Sequence, residues 1–113
     1  MSIDQDTKRK IIRHLNDQLR KYGIGGEIVL TQGVQVLGED AILQIMTLMQ
    51  CFDRFSEDND PYQEHDYGAF TWNGRRIFFK IDYYSLNYRF HSPNPCDPTS
   101  TRRVLTIMLA EEY

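Results

Sequence analysis

Four residues of this 113-residue chain are of types that could transfer a proton together: His65, Tyr67, Lys80 and Asp82. A carboxylate beside a histidine holds one imidazole tautomer and raises its basicity, and a lysine or tyrosine can then stabilise developing charge. Asn73-Gly74 groups them. Asn-Gly between two aromatic, β-branched runs predicts a two-residue type I′ turn, because both central residues need positive φ. The turn sets the register: Trp72 faces Arg75, Phe70 faces Ile77, Gly68 faces Phe79 and Asp66 faces Ile81. Continuing the count, Tyr67 meets Lys80 and His65 meets Asp82. Side chains alternate, so Phe70, Trp72, Ile77, Phe79 and Ile81 make the core face, and the four polar residues share the other face with Tyr84. An enzyme built here would use His65 as base, Asp82 as its orienter and Lys80 or Tyr67 as stabiliser. Opposite charges and aromatics also pair across sheets for stability alone, and no known catalytic signature is present. The plainer pairing is the reading the sequence favours.

The segment leading into the hairpin is acidic, with Asp53, Glu57, Asp58, Asp60, Glu64 and Asp66 opposed only by Arg54. Asn59-Asp60-Pro61 is turn chemistry, since the residue before proline is pushed out of the helical region. Such a loop suits recognition of a basic partner surface. Glu57, Asp58, Asp60, Tyr62, Glu64 and Asp66 are its candidate binding residues, expected to splay into solvent. A calcium-loop pattern is missing, and one histidine among scattered carboxylates is a poor zinc set, so neither a metal nor another cofactor is expected. Beyond the hairpin, Tyr84, Tyr88 and Arg89 add the residue types enriched at protein interfaces. With Tyr67, Tyr83 and Phe90 they could also form a stacking platform for single-stranded nucleic acid, a role the adjoining acidic loop opposes.

The elements that must position these groups read as follows. Asp4, Asp6 and Thr7 offer N-caps, and Ile11, Ile12, Leu15, Leu19 and Tyr22 recur at helical spacing up to a C-cap glycine at Gly23. The outer face of that helix carries Lys8, Arg9, Lys10, Arg13, Arg20 and Lys21, which raises a nucleic-acid alternative. Glu27–Thr31 reads as a short strand and Gln32-Gly33 as a turn. Glu39 and Asp40 open a second helix, apolar almost all round through Phe52 and so expected to be buried on more than one side. Tyr88–Phe90 would add a third strand to the meander. Asp97-Pro98 looks like an N-cap followed by a first-turn proline, starting a last helix through Arg102–Leu109. The expected fold is thus α+β: an antiparallel β-meander packed on one face by about three α-helices, residues 1–113 forming one domain.

The net charge of −3 disfavours general DNA binding. No apolar run is long enough to span a bilayer and the N-terminus is polar, so a cytoplasmic protein without membrane contact is expected. Cys51 and Cys96 show no CxxC spacing and read as reduced thiols, with Cys51 buried inside its helix.

Three stretches, Asn59–Gly68, Lys80–Tyr84 and Arg103–Tyr113, together with Leu30–Val34, resemble a bacterial family of small proteins that constitute a domain of unknown function. Its members are often carried on plasmids and other mobile elements. The resemblance implies no reaction. It implies a stand-alone domain in a setting where small proteins act by binding host or defence-system proteins. The function read from the sequence is therefore a non-enzymatic protein-binding module, an inhibitor or modulator of such a protein. The alternatives are a small hydrolase-like or metal-dependent enzyme centred on His65 and Asp82, and a nucleic-acid binder using the first helix.

Overall fold

The computed structural model describes residues 3–113. Asp4 accepts the Thr7 N–H at 2.8 Å and starts α1 (Gln5–Tyr22). Gly23, at φ 70°, ends it, returning its N–H to Leu19 while Ile24 N–H reaches Gln18. β1 (Glu27–Leu30), the short α2 (Gln32–Gln35) and α3 (Glu39–Gln50) follow, then a long loop, β2 (Tyr67–Trp72), β3 (Arg75–Tyr84), β4 (Arg102–Leu109) and a 3₁₀ turn (Ala110–Glu112). The fold is α+β: the described residues form three α-helices and one four-stranded sheet of order β1-β4-β3-β2.

The hairpin has the expected register from Tyr67↔Lys80 to Trp72↔Arg75, and Asn73 and Gly74 take φ 49° and 77°. Alternation then sorts β3 and β4. Ile77, Phe79 and Ile81 of β3, with Leu105, Ile107 and Leu109 of β4, join Ile12, Leu19, Val34, Ile45, Met49 and Phe52 in the core. Removing each such side chain from water contributes about 1.5–3 kcal/mol. Phe79 is fully buried and meets Phe52 edge-on at 5.3 Å. Gly68 lies opposite it, where a Cβ would strike both rings. The far face of the sheet carries Phe78, Lys80, Asp82 and Tyr84. Tyr113 folds back there, its ring 5.8 Å from Phe78 and 6.4 Å from Tyr67.

Several expectations are corrected. The sheet is mixed rather than a purely antiparallel meander, because β1 joins β4 in parallel. Arg102–Leu109 is a strand, not a helix. It runs between β1 and β3 and buries side chains on both faces, Met108 as well as Ile107. Its sequence, Val104–Leu109, is apolar but for Thr106, and such a run carries no period of two to betray a strand. Asp97 caps no helix: its Oδ1 accepts Thr99 N–H at 2.9 Å and Thr99 Oγ1–H at 2.6 Å in a local turn. Tyr88–Phe90 is a loop, held to β3 by a single bridge between Tyr84 and His91. α3 is buried on one side only: Ala41, Ile45 and Met49 face inward, whereas Leu43 and Leu48 are exposed. Cys51, at its end, is exposed as well. Arg20 is not on the outer face of α1. It is fully buried and donates to the Met49, Gln50 and Phe52 carbonyls at 3.1, 3.3 and 2.8 Å, satisfying the end of α3.

Candidate recognition site

His65 does not meet Asp82. Asp60 is buried, and its Oδ1 accepts the backbone N–H groups of Glu64 and His65, each at 3.0 Å. Gln63 and His65 are turned into left-handed backbone, φ 58° and 56°, so strand alternation begins only after them. The His65 ring stacks on Phe55 at 3.8 Å, and its Nδ1 lies 2.9 Å from Asp17 Oδ1 on α1. A carboxylate only accepts, so Nδ1 carries the proton. The same Asp17 oxygen accepts from Arg20 Nη2 at 3.1 Å. Asp82 stays on the far face and pairs with Lys80 at 3.1 Å. Tyr67 lies across from Lys80, as the register requires. The base and orienter of the enzyme reading thus have different partners, and each carboxylate belongs to an ion pair.

A second polar network lies deeper. Asn16 is fully buried on α1; its Oδ1 accepts Arg103 Nε–H at 2.7 Å and its amide donates to Tyr83 OH at 2.7 Å and Glu64 O at 3.0 Å. Tyr83 OH donates onward to Glu64 Oε1 at 2.8 Å, and Arg103 Nη2 donates to the Pro95 carbonyl. Burial, with the Glu64 charge adding to it, pushes the Tyr83 hydroxyl well above its ordinary range, which keeps it a donor; burial also pulls Arg103 down. This network joins α1, the acidic loop, β3 and β4. Its members, Glu64 included, act on the fold, as Asp60 does through the backbone N–H groups it gathers. The acidic loop therefore does not splay all its carboxylates into solvent: Asp60 faces inward and Glu64 is half-buried, whereas Asp53, Glu57 and Asp58 are exposed, as is Tyr62. Among the described residues no three His, Cys, Asp or Glu side chains converge as metal ligands.

Where β3 ends, a different group assembles. Asp66, Asp82, Tyr84, Arg89, Phe90 and His91 line a cleft of about 380 Å³. Burial, then the charges of Glu64, Asp60 and Asp82, raise the Asp66 carboxyl to about 6. The loop that walls this cleft, residues 85–91, is tied to itself. Ser85 N–H donates to Phe90 O at 2.7 Å, and Phe90 N–H to Ser85 Oγ at 3.1 Å. Asn87 Oδ1 accepts Ser85 Oγ–H at 2.7 Å and Arg89 N–H at 3.0 Å. Tyr88, at φ 63°, donates its hydroxyl to Glu27 of β1, and the Arg102 guanidinium lies 5.9 Å from its ring centre. A loop so fixed still exposes three large apolar side chains: Leu86 at 53%, Tyr88 at 45% and Phe90 at 69%.

Of the residues singled out from sequence, the fold brings Asp66, Tyr84, Tyr88 and Arg89 to this one corner, with Asp82. Tyr62 belongs to a separate surface, where it meets Arg9 and lines a cleft with Lys10 and Arg13; Glu57 lines another cleft with Phe55 and His65, and Asp58 is exposed away from the corner cleft. Sequence reasoning missed Leu86 and His91 at the corner, and Asn16, Asp17 and Arg103 in the networks. Asn16 could have been found, since it interrupts the apolar stripe between Ile12 and Leu19, where a polar residue needs a buried partner.

The fold and this corner define a small α+β protein with a preformed apolar-tipped loop over a charged cleft. Residues 30–112 match the model described as "Protein of unknown function (DUF3768)", and the chain belongs to that family. No curated protein and no solved structure matches the chain. No helix of the described residues is long and apolar enough to cross a membrane.

Proposed function

We propose that the chain is a non-enzymatic protein-binding module that acts as one domain in the cytoplasm and recognises its partner through the 85–91 loop and the cleft beneath it. Its resemblance to proteins of bacterial plasmids and mobile elements supports a host or defence-system protein as the target, inhibited or modulated by the contact. The observation that carries the reading is the exposure of Leu86, Tyr88 and Phe90 on a loop already fixed by its own hydrogen bonds. Exposed apolar side chains cluster this way at interaction sites. A loop ordered before binding loses little entropy when bound, so more of the contact energy appears as affinity. Asp66, Asp82, Arg89 and His91 beside the apolar tip supply the polar rim from which register and specificity come.

The test is capture from bacterial lysate with the unaltered chain, a Leu86→Asp/Phe90→Asp variant and a His65→Ala/Asp82→Ala variant, each checked by melting. A stoichiometric protein partner held by the first and third but lost by the second supports the reading. Equal retention by all three, or no partner at all, overturns it.

A further inference from the structure

β2 is the outer strand of the sheet, paired on one side only. In a two-residue hairpin the residues flanking the turn exchange both hydrogen bonds, and bonded and non-bonded pairs alternate from there. Trp72, Phe70 and Gly68 therefore turn their N–H and C=O groups toward β3, as does Asp66, whose carbonyl accepts Ile81 N–H at 2.8 Å. Tyr67, Ala69 and Thr71 turn theirs outward, and no backbone hydrogen bond among the described residues engages them. Edges of this kind are normally guarded by lysine, proline or a bulge. β2, Tyr-Gly-Ala-Phe-Thr-Trp, has no charged residue and no proline, and its register is unbroken.

A groove of about 560 Å³ runs beside this edge, walled by Leu48 and Phe52 on the helix side and by Ala69, Phe70 and Thr71 on the strand side. The exposed Leu43 continues the apolar wall with Leu48 and Trp72. Arg54, Arg76 and Asp53 set its charge. Neither arginine has a carboxylate partner among the described residues, so two guanidiniums stand against one carboxylate.

We propose that this groove takes an extended segment of a partner protein, added to the sheet as a fifth strand along β2, with apolar and acidic side chains alternating. Outward N–H and C=O pairs recurring at every second residue, roughly 7 Å apart, match the backbone of another β-strand. On that strand one set of side chains would meet Leu48, Phe52 and Phe70. The other would lie over Ala69 and Thr71, which are small enough to leave room, and reach Arg76. A second copy of this chain fits poorly: its own β2 holds no acidic residue, and it would bring a second Arg54 and Arg76 to the same place. The surface is separate from the 85–91 loop and does not depend on the reading placed there.

The probe is a fluorescein-labelled heptapeptide of alternating valine and glutamate, compared with its valine–lysine counterpart. The acidic peptide is expected to bind about tenfold or more tightly than the basic one and to slow amide exchange at Ala69 and Thr71, read by NMR. Thr71→Pro removes an outward N–H and no backbone bond to β3, giving up only the long 3.5 Å contact from Arg76 Nη1 to Thr71 Oγ1, so binding is expected to fall by a similar factor with melting little changed. Arg76→Glu is expected to reverse the preference between peptides, and carries the test if Thr71→Pro fails to fold. Leu86→Asp/Phe90→Asp should bind the peptide as the unaltered chain does. No binding, equal affinity for both peptides, or unchanged exchange at Ala69 and Thr71 would overturn the proposal. So would protection of those amides in the free chain that grows with its concentration, which would show a second copy at the edge.

Discussion

Replacing Asp66 by asparagine is expected to stabilise the fold at neutral pH and to do nothing in acid. Asp66 is partly buried at the base of the 85–91 cleft, where its neighbours Glu64, Asp60 and Asp82 are also carboxylates. Burial first and those charges second raise its carboxyl from 3.8 to about 6. The folded state therefore holds this proton more tightly than the unfolded chain does. The stabilisation that the protonated group contributes is complete below about pH 4 and is lost as pH rises through about 6. Above that, the ionised group is a burden. A rise of that size corresponds to about 3 kcal/mol, and partial exposure reduces this to about 2 kcal/mol. An asparagine side chain keeps the shape without the charge, so Asp66→Asn at pH 7.5 is expected to gain about 2 kcal/mol, on the order of 8 °C in melting temperature. Urea unfolding of both chains from pH 4 to pH 8 measures it. The difference between them isolates Asp66, because the other titrating groups largely cancel. A gain of the same size at pH 4 and pH 7.5, or a loss at pH 7.5, would refute the assignment of a crowded, partly desolvated carboxylate.

Two further predictions concern the frame that carries both surfaces. Gly74→Val places a β-branched residue at φ 77° in the hairpin turn and is expected to cost at least about 1 kcal/mol, seen as a lower melting temperature; an unchanged melt would mean the turn is not built this way. Asn16→Ala strips the Arg103 Nε–H of its buried acceptor and Tyr83 of one donor, and is expected to cost about 2–4 kcal/mol by urea unfolding. A change below about 1 kcal/mol, the ordinary worth of one neutral hydrogen bond, would place Arg103 in contact with water.

Local chemistry carried much of the outcome. Asn73-Gly74 dictated a turn because few other residue pairs accept two positive φ values, and the turn then dictated the register of β2 against β3 and the core role of Ile77, Phe79 and Ile81. α1 was legible from its capping aspartate, its apolar stripe and Gly23 for the same reason: each signal acts within a few residues of the backbone it shapes. The α+β class followed from those elements. The expectation of a domain of unknown function agrees with the family matched by residues 30–112. Only the tertiary structure decided the rest. Whether Arg102–Leu109 is helix or strand depended on β1 and β3 offering hydrogen bonds on both sides, and β1 lies near the other end of the chain. His65 left Asp82 for Asp17 because the Asp60 carboxylate gathers two backbone N–H groups and turns the chain before the strand begins. Arg20, a surface cation by helical count, went inside because the end of α3 presented three carbonyls that needed a donor. The bare edge of β2 exists only because the fold places a strand on one side of it and a groove on the other. Each of these rests on a partner distant in sequence, and no window of residues contains both halves of such a contact.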